Sequence, residues 1–346
     1  MMFLLLAVLG VLGWRIMKAL KAPSPALLGP MLLVGVLQIK GIDFPDMPNI
    51  FISAFQLILG TFVGIRINRE QLKLLKNKTV LYSAILILAW TVGTTILAAN
   101  TLLTFTDLDI ATSLLSGSPG GMTEMSIVAF AYGADVPTVA LLQLLRLTLI
   151  VSFIPFLTLG IVKRNGGSYC KKAVECTNAS DVPNKGVPYE ILTMGIIMGS
   201  LFIYLGMPAG GLIGAIIGVG TGNIITNKCL TLSKNYLLLA QIGIGISIGL
   251  SFTKETVEQF SNLLVPVIIL PLFMVVSGII LAFVMRVMTK WDISTCLLSS
   301  APAGLSQMII VAEDIDSDVF MVSFFQTTRL LTIYLVLPHI FNWYLM

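Results

Sequence analysis

The chain contains two copies of one interrupted hydrophobic segment, and this duplication limits the folds open to it more than any other feature. Residues 119–155 begin PGGMTEM, and residues 302–338 begin PAGLSQM. When the two stretches are aligned without gaps, fourteen of the 37 positions are identical. Packing of apolar side chains does not explain why a proline, a glycine, a glutamine and an arginine are identical at aligned positions of the two copies. Paired interruptions in two halves of a hydrophobic chain indicate a binding site inside a membrane protein.

The composition supports a membrane protein independently of the repeat. Of the 346 residues, 56% are hydrophobic and only 11% are charged, whereas soluble domains carry roughly 25% charged residues. Such a chain lacks the side chains to cover a water-facing surface, so we predict an all-α, polytopic membrane protein. The net charge is +4, but the basic residues lie in short loops between hydrophobic segments, as membrane topology requires. No nucleic-acid partner is therefore expected.

Each half of the chain shows the same series of six apolar segments. They are predicted at 1–20, 26–40, 50–66, 79–104, 108–133 and 137–162, and again at 189–206, 210–226, 236–252, 262–289, 293–315 and 318–346. We therefore divide the chain into a first membrane repeat (1–162), a linker loop (163–188) and a second repeat (189–346). Because a span needs about 20 apolar residues, the series predicts about 10–12 transmembrane segments, with two broken helices at the centre.

The duplication extends beyond the interrupted segments. When the earlier segments are aligned so that Pro23 matches Pro208, Gly60 falls on Gly245 and Gly64 on Gly249. Small residues at this four-residue spacing allow membrane helices to approach closely, which supplies attraction that lipid does not. The alternative is that membrane helices are generally rich in glycine.

The distribution of Lys and Arg favours inverted repeats. Basic residues after segments one and three, and in the linker, place those loops in the cytoplasm and the N-terminus outside. These positions are consistent if the fifth segment, 108–133, re-enters the membrane without crossing it, and the second repeat is then inverted. If that segment crosses fully, the repeats are parallel. Residues 1–13 have no basic residue before them, which favours a first span over a cleaved signal peptide.

The two interruptions are the candidate substrate or ion site. Proline disfavours helix before it, and the glycines allow backbone angles closed to other residues, so both segments are expected to break. Unpaired backbone groups at a break are tolerated in a membrane only where they line protein or water. The first half-helix leaves carbonyls that suit cations, and the next one begins with N–H groups that suit anions. The candidate residues are Pro119, Gly120, Gly121, Thr123, Glu124, Pro302, Ala303, Gly304, Ser306 and Gln307.

Glu124 is the one carboxylate among these residues, and neutral Gln307 holds the equivalent position. A buried carboxylate binds a proton or a sodium ion, so Glu124 is a candidate coupling residue. The alternative is that Glu124 only caps its helix, and one side chain can do both. No resident cofactor is expected, and Na⁺ or H⁺ is the expected coupling ion.

Six polar residues in the following helices form matched supporting pairs: Gln143 with Gln326, Arg146 with Arg329, and Asp135 with Asp318. An arginine inside a membrane costs at least about 2.5–3.5 kcal/mol, so each needs a reason to be there. Either the arginines bind an anionic substrate or a carboxylate such as Glu124, or each holds the carbonyls at the end of a half-helix. For the aspartates, N-capping of the next helix is the simplest interpretation.

No metal centre or catalytic site is predicted. The chain has one histidine, His339, and four cysteines without metal-ligand spacing. Such a supply does not suit a redox metal centre, so we do not expect an enzyme. Cys170 and Cys176 share the linker and could form a disulfide on an oxidising side, although free thiols are the simpler interpretation.

The paired motifs PGGMTEM…GADV…QLLRL and PAGLSQM…DSDV…QTTRL resemble the AbrB-type membrane protein family, which consists of two copies of one hydrophobic domain. The resemblance covers nearly the whole chain. This family is distinct from the soluble DNA-binding regulators of the same name, and its members have been labelled ammonia monooxygenases or regulators. The break is also similar to the crossing helix of bile-acid/sodium symporters and cation–proton antiporters. That similarity implies inverted repeats, a core made of segments four to six of each half, and a scaffold that includes segments one to three.

The leading hypothesis is a secondary transporter in a prokaryotic plasma (inner) membrane. It would move a small organic solute, anionic or amphipathic, driven by a proton or sodium gradient. No Gly-rich phosphate loop with Lys is present in the sequence, which disfavours direct use of ATP. The alternative is a membrane-embedded regulator or sensor that binds a ligand at the same site without transport. The expected partners are a small-molecule substrate and the lipid bilayer; the oligomeric state is left open, with a homodimer as one option.

Overall fold

The described part of the chain contains α-helices joined by short non-helical segments and no β-strand. In this computed structural model it comprises residues 2–20, 24–42, 44–164, 188–226, 232–253, 264–304, 308, 309, 311, 312, 315 and 317–345, with side chains described outside 151–164, 264–268, 337–338 and 342–345. Within these residues the helices are α1 (Met2–Ala19), α2 (Pro25–Ile39), α3 (Asn49–Gly64), α4 (Arg69–Leu74), α5 (Lys78–Phe105), α6 (Ile110–Gly117), α7 (Met122–Ala131), α8 (Val136–Arg164), α9 (Tyr189–Tyr204), α10 (Gly210–Thr226), α11 (Lys234–Leu250), α12 (Leu264–Thr289), α13 (Ile293–Ser300) and α14 (Val319–Leu345).

The helices coincide closely with the predicted segments. For example, the segment predicted at 210–226 is α10, and the segment predicted at 108–133 is split into α6 and α7. Within the described residues, four helices are long and apolar enough to cross a membrane, namely Met2–Ala19, Lys78–Phe105, Ile269–Thr289 and Val319–Val336. Seven further helices are apolar but shorter, including α2 and α10, which the sequence predicts to be short. The chain is therefore an all-α, polytopic membrane protein.

Two compact units combine segments from both repeats. Unit 1 contains Met1–Arg69, Thr123–Leu141 and Asn184–Asn262, and unit 2 contains Glu70–Met122, Leu142–Pro183 and Leu263–Met346. Unit 1 thus holds segments one to three of each repeat, and unit 2 holds segment four and most of segments five and six. This division agrees with the core and scaffold that the family resemblance implies, except that α7 and the start of α8 group with unit 1. Neither unit corresponds to one repeat.

Unit 1 is built by an exchange of helices between the repeats. Gly60 of α3 lies against α10 so closely that an added Cβ would be 2.3 Å from the carbonyl oxygen of Leu212. Gly245 of α11 lies against α2 in the same way, with the carbonyl oxygen of Leu27 at 2.4 Å. Since the two glycines are equivalent in the repeat alignment, and the two leucines are as well, each repeat packs its third segment on the second segment of the other. The glycines are therefore specific packing residues.

Unit 2 shows that the repeats are inverted. Helices α5 and α12 are the fourth segments of the two repeats, and they pack side by side. Leu102, late in α5, clusters with Leu270, early in α12, whereas Val80, early in α5, clusters with Met285, late in α12. The two equivalent helices therefore run in opposite directions. Repeats related by an axis along the membrane normal would keep equivalent spans parallel, so this orientation requires the inverted arrangement.

Candidate functional site at the two helix breaks

The first break separates α6 from α7. Asp109 begins α6 as its N-cap, with a carboxylate oxygen 3.1 Å from the backbone nitrogen of Thr112. The helix ends at Gly117, where an added Cβ would lie 2.9 Å from the Cβ of Ala98 on α5. Residues 118–121 are not helical, and the N–H of Gly120 donates to the carbonyl of residue 118 at 2.9 Å. The proline at 119 lies within this stretch, as the sequence predicts.

The second break repeats this geometry after α13. Asp292 caps α13 with a carboxylate oxygen 3.0 Å from the backbone nitrogen of Ser294. The helix ends at Ser300, and the N–H of Ala303 donates to the carbonyl of Ala301 at 2.8 Å. Helical hydrogen bonding resumes at Gly304, whose carbonyl accepts from the N–H at 308. Predicted site residues Ser306 and Gln307 lie outside the described residues.

Two glutamines hold the carbonyls that each interrupted helix leaves unpaired. The Gln143 Nε2 atom donates to the carbonyl oxygens of Leu115, at 2.7 Å, and of Ser118, at 3.1 Å. The Gln326 Nε2 atom donates to the equivalent carbonyls, those of Leu298 at 2.7 Å and of Ala301 at 3.1 Å. Both glutamine side chains are fully buried, so these bonds help to satisfy the carbonyls at the end of each half-helix in an apolar setting.

Two buried arginines also donate hydrogen bonds to the backbone carbonyls at the breaks. The Arg146 guanidinium donates from Nη1 to the carbonyl of Ser118 and from Nη2 to that of Gly120, both at 2.5 Å. The Arg329 guanidinium donates to the carbonyl of Ala301 and, at 2.7 Å, to that of Ala303. Arg329 also donates to the side-chain oxygen of Gln326. This is the arrangement expected if each arginine holds the end of a half-helix, and two donors in a planar fork suit a pair of adjacent carbonyls.

The two breaks line one small cavity inside unit 2. Pro119 and Pro302 both contribute to its wall, together with Arg329. The remaining lining residues come from α5, α12 and α13: Ile87, Trp90, Thr91, Thr94, Met274, Ser277, Gly278, Leu281, Ser299 and Ser300. Its volume is about 20 Å³, which is room for one water-sized particle. The prolines of the two repeats therefore meet at a common, partly polar space.

Hydrogen bonds tie the cavity wall together. The indole N–H of Trp90 donates to the hydroxyl of Ser277 at 2.7 Å and thereby links α5 to α12. The hydroxyl of Ser300 donates to the carbonyl of Gly278 at 2.9 Å. The hydroxyl of Ser299 is buried and has no hydrogen-bond partner among the described residues. These residues were not predicted from the sequence; the signal available was a set of hydroxyls and one indole in otherwise apolar segments.

The first turn of α7 belongs to unit 1. Thr123 is buried, and Glu124 is half-buried. The Glu124 carboxylate interacts with its own backbone N–H and is attracted electrostatically by Arg66 of the same unit. The first interaction fits a capping role, and neither excludes ion coupling, so both interpretations of Glu124 remain open. Gly121 and Gly304, also predicted site residues, are partly exposed.

The paired aspartates lie where N-caps are expected. A carboxylate oxygen of Asp135 is 3.4 Å from the backbone nitrogen of Thr138, and the other accepts from the Thr138 hydroxyl at 2.6 Å. Asp318 accepts from the backbone N–H of Met321 at 3.0 Å at the start of α14. Among the described residues there is no group of three or more His, Cys, Asp or Glu side chains placed to hold a metal ion.

Together, the fold and the paired breaks define a membrane protein of inverted repeats whose interrupted helices line a common cavity. The family model described as "Transition state regulatory protein AbrB" matches the chain twice, over residues 1–161 and 167–345. The chain therefore belongs to this family, and the double match confirms the internal repeat.

Two curated relatives are similar over almost the whole chain. "Uncharacterized protein YhjN" of Bacillus subtilis (strain 168) is 24% identical over 339 residues, which are 94% of this chain and 86% of the relative. "Putative regulator AbrB" of Escherichia coli (strain K12) is 27% identical over 333 residues, which are 93% of this chain and 90% of the relative.

Proposed function

We propose that this protein is a secondary active transporter of a small organic solute, anionic or amphipathic, in a prokaryotic plasma (inner) membrane. The observation that carries the proposal is the cavity whose wall contains both Pro119 and Pro302. A chain that spans a membrane gains no stability from two helix breaks that need buried arginines to satisfy them. Breaks that meet at one polar space are the usual construction of a midplane transport site.

The charge around the breaks supports an anionic solute. Two buried guanidiniums, those of Arg146 and Arg329, occupy unit 2, whereas the described carboxylates of that unit are all exposed. The guanidiniums neutralise carbonyl dipoles that would otherwise favour a cation. A carboxylate or similar group on the solute would then meet a positive potential, which low-dielectric surroundings strengthen.

The size of the cavity implies that the solute enters through a conformational change. A cavity of about 20 Å³ is far smaller than the roughly 300–1,000 Å³ of pockets that hold organic ligands. Binding of an organic solute therefore requires the walls around Trp90 and Ser277 to separate. Such widening is part of alternating access, in which the site opens to one side of the membrane at a time.

The first experiment is a search for the solute. Purified protein is screened by thermal unfolding against small organic acids, with and without sodium, over a range of pH. Compounds that raise the unfolding midpoint are then tested for uptake into proteoliposomes under imposed proton and sodium gradients. Gradient-driven accumulation supports the proposal, and binding without flux of any stabilising compound contradicts it.

Glu124 is the proposed coupling residue, with H⁺ or Na⁺ as the ion. We expect Glu124→Gln to abolish coupled uptake, or its dependence on pH, because an amide binds neither a proton nor sodium as a carboxylate does. The variant is expected to fold, which is checked by size-exclusion chromatography. Glu70→Gln is the matched control, since Glu70 is exposed and its described ion pair is with Lys73 on the surface of the same helix. Unchanged uptake at every pH would reduce Glu124 to a helix cap.

A membrane-embedded sensor is the second candidate function. The name of the Escherichia coli relative describes that protein as a regulator, and this favours the sensor for the present chain. Such a protein would bind a ligand at the same cavity and pass the signal to a partner. Ligand binding in the absence of flux, together with copurification of a partner that depends on the ligand, would favour this candidate.

We also propose that the chain has no catalytic activity. A monooxygenase needs a metal site rich in histidine and carboxylate, and the sequence contains one histidine. Metal analysis of the purified protein tests this directly, because stoichiometric iron or copper would contradict it.

A further inference from the structure

Two residues of the cavity wall each carry a buried polar atom that nothing in the described part of the chain satisfies. The Ser299 hydroxyl and the Arg329 Nε both belong to residues that line the cavity, and neither has a hydrogen-bond partner among the described residues. Ser299 is 1% exposed and Arg329 is 4% exposed. Buried donors normally have hydrogen-bond partners in native proteins, so we expect an acceptor for these two donors.

The charge balance of unit 2 indicates what kind of partner this is. Arg146 and Arg329 are both buried in unit 2, and Arg146 contacts the sulfur of Met274, which lines the cavity together with Arg329. The hydrogen bonds described for them go to backbone carbonyls, to the Met274 sulfur and to the Gln326 amide oxygen, none of which carries a negative charge. Two like charges buried without a counter-ion are costly, and a cation in the same cavity would increase that cost.

The donor set also selects an anion. An arginine Nε can only donate a hydrogen bond, and a serine hydroxyl can donate one. A particle that accepts from both is an anion or a water molecule. The volume of about 20 Å³ leaves room for one such particle and is too small to hold the whole of an organic anion.

We propose that this cavity binds a single halide ion, chloride in the cell, as a resident counter-ion for the two arginines at the breaks. Ser299 and Arg329 donate to the ion. The ion is distinct from the transported solute, and its binding does not depend on whether the protein transports anything.

The test measures halide binding by the full-length protein in detergent. Sodium gluconate is replaced stepwise by sodium chloride or bromide at constant ionic strength, and the thermal unfolding midpoint is followed. We expect a saturable rise with chloride and with bromide, and the same rise with choline chloride. An equal midpoint in gluconate and chloride would overturn the proposal and leave water as the occupant. A rise that follows sodium instead of the halide would overturn it in favour of a cation site.

A matched pair of variants locates the ion. Ser116 is the equivalent of Ser299 in the first repeat; its hydroxyl is also buried without a described partner, but Ser116 does not line the cavity. We expect Ser299→Ala to raise the half-saturating chloride concentration about tenfold, because a hydrogen bond to a charged group is lost. Ser116→Ala should leave it unchanged. Equal halide dependence in both variants would place the ion elsewhere.

Bromide diffraction makes the result independent of the variants. If Ser299→Ala fails to fold, crystals of the unaltered protein grown in bromide are expected to show an anomalous peak between Ser299 and Arg329. A bromide-dependent rise in the unfolding midpoint without a peak at this position would contradict the assignment. None of these measurements uses a gradient or an organic solute, so their failure is separable from failure of the transport proposal.

Discussion

The helices inside unit 1 and the helices inside unit 2 are stabilised by different kinds of contact. In unit 1, helices of the two repeats approach until backbone touches backbone, as at Gly60 against Leu212 and at Gly245 against Leu27. In unit 2, helices are interrupted, and long polar side chains reach across to satisfy the interruptions, as Arg146 and Arg329 do. Yet both units are built from segments of the same two repeats.

This contrast separates close backbone packing from the supply of polar groups. Close packing of small residues stabilises membrane helices without any polar group and produces a rigid unit. Interrupted helices supply the polar groups that a ligand needs, but each one must be compensated by a buried side chain. Unit 2 therefore holds the polar groups around the cavity that Pro119 and Pro302 line, whereas Glu124 lies in unit 1.

The largest expected effect is removal of a break arginine. Arg146→Ala and Arg329→Ala each remove two hydrogen bonds from a charged group to buried carbonyls, and such bonds are worth about 1.5–3 kcal/mol each. Each variant also leaves one carbonyl, that of Gly120 or of Ala303, without its described donor. We therefore expect each variant to lose most of the folded protein, measured as the monodisperse yield after solubilisation. Arg286→Ala is the control, because Arg286 is exposed on α12 of the same unit. If either variant folds normally and loses only ligand binding, the arginines are ligands and the contrast between the units fails.

A smaller effect is expected from the glycines of unit 1. Gly60→Ala and Gly245→Ala place a methyl group 2.3 and 2.4 Å from a backbone oxygen, so the paired helices must separate. Overpacking of this kind costs about 1–3 kcal/mol, which should lower the unfolding midpoint equally in both variants. Gly93→Ala is the control, because nothing lies within 4 Å of an added methyl at that position in α5. A lower unfolding midpoint in only one of the two variants would contradict the symmetric exchange of helices.

The smallest effect is expected from the N-caps that precede the breaks. Asp109→Ala and Asp292→Ala each remove a carboxylate that accepts from a first-turn N–H, at a typical cost of about 1 kcal/mol. Denaturation in mild detergent should show a small, equal decrease in the free energy of unfolding of the two variants. Asp107→Ala, in the same loop as Asp109 but without a capping bond described, should show none. A decrease as large as that of the arginine variants would mean that the caps, and not the arginines, hold the half-helices.

Much of the fold follows from the sequence because the constraints of a membrane are local. Every backbone group must be satisfied within its own segment, so apolar stretches become helices and α10 begins and ends where the apolar stretch does. The breaks were predictable at Pro119 and Pro302 because proline and glycine act on their own neighbourhood. The short helix α4 was not predicted, since six residues carry too little periodicity to be recognised.

The candidate site was predictable only in part. The alignment of the two interrupted segments singled out Gln143 and Arg146 with their counterparts, but it left open whether they bind a ligand or hold carbonyls. The cavity residues Trp90 and Ser277 carried no such signal, because they are neither paired between the repeats nor unusual in a membrane helix. Ser299 is paired with Ser116, but a serine is too common in membrane helices for this match to single it out.

The sequence by itself determined the class of protein, the inverted pair of repeats as the favoured arrangement, and the positions of the two breaks, because composition, internal repetition and proline act through neighbouring residues. Only the tertiary structure decided that helices are exchanged between the repeats, that each arginine donates to carbonyls of its own break, and that both prolines face one cavity. Those outcomes depend on side chains meeting across a distance of many residues along the chain, and no local pattern specifies which of them meet.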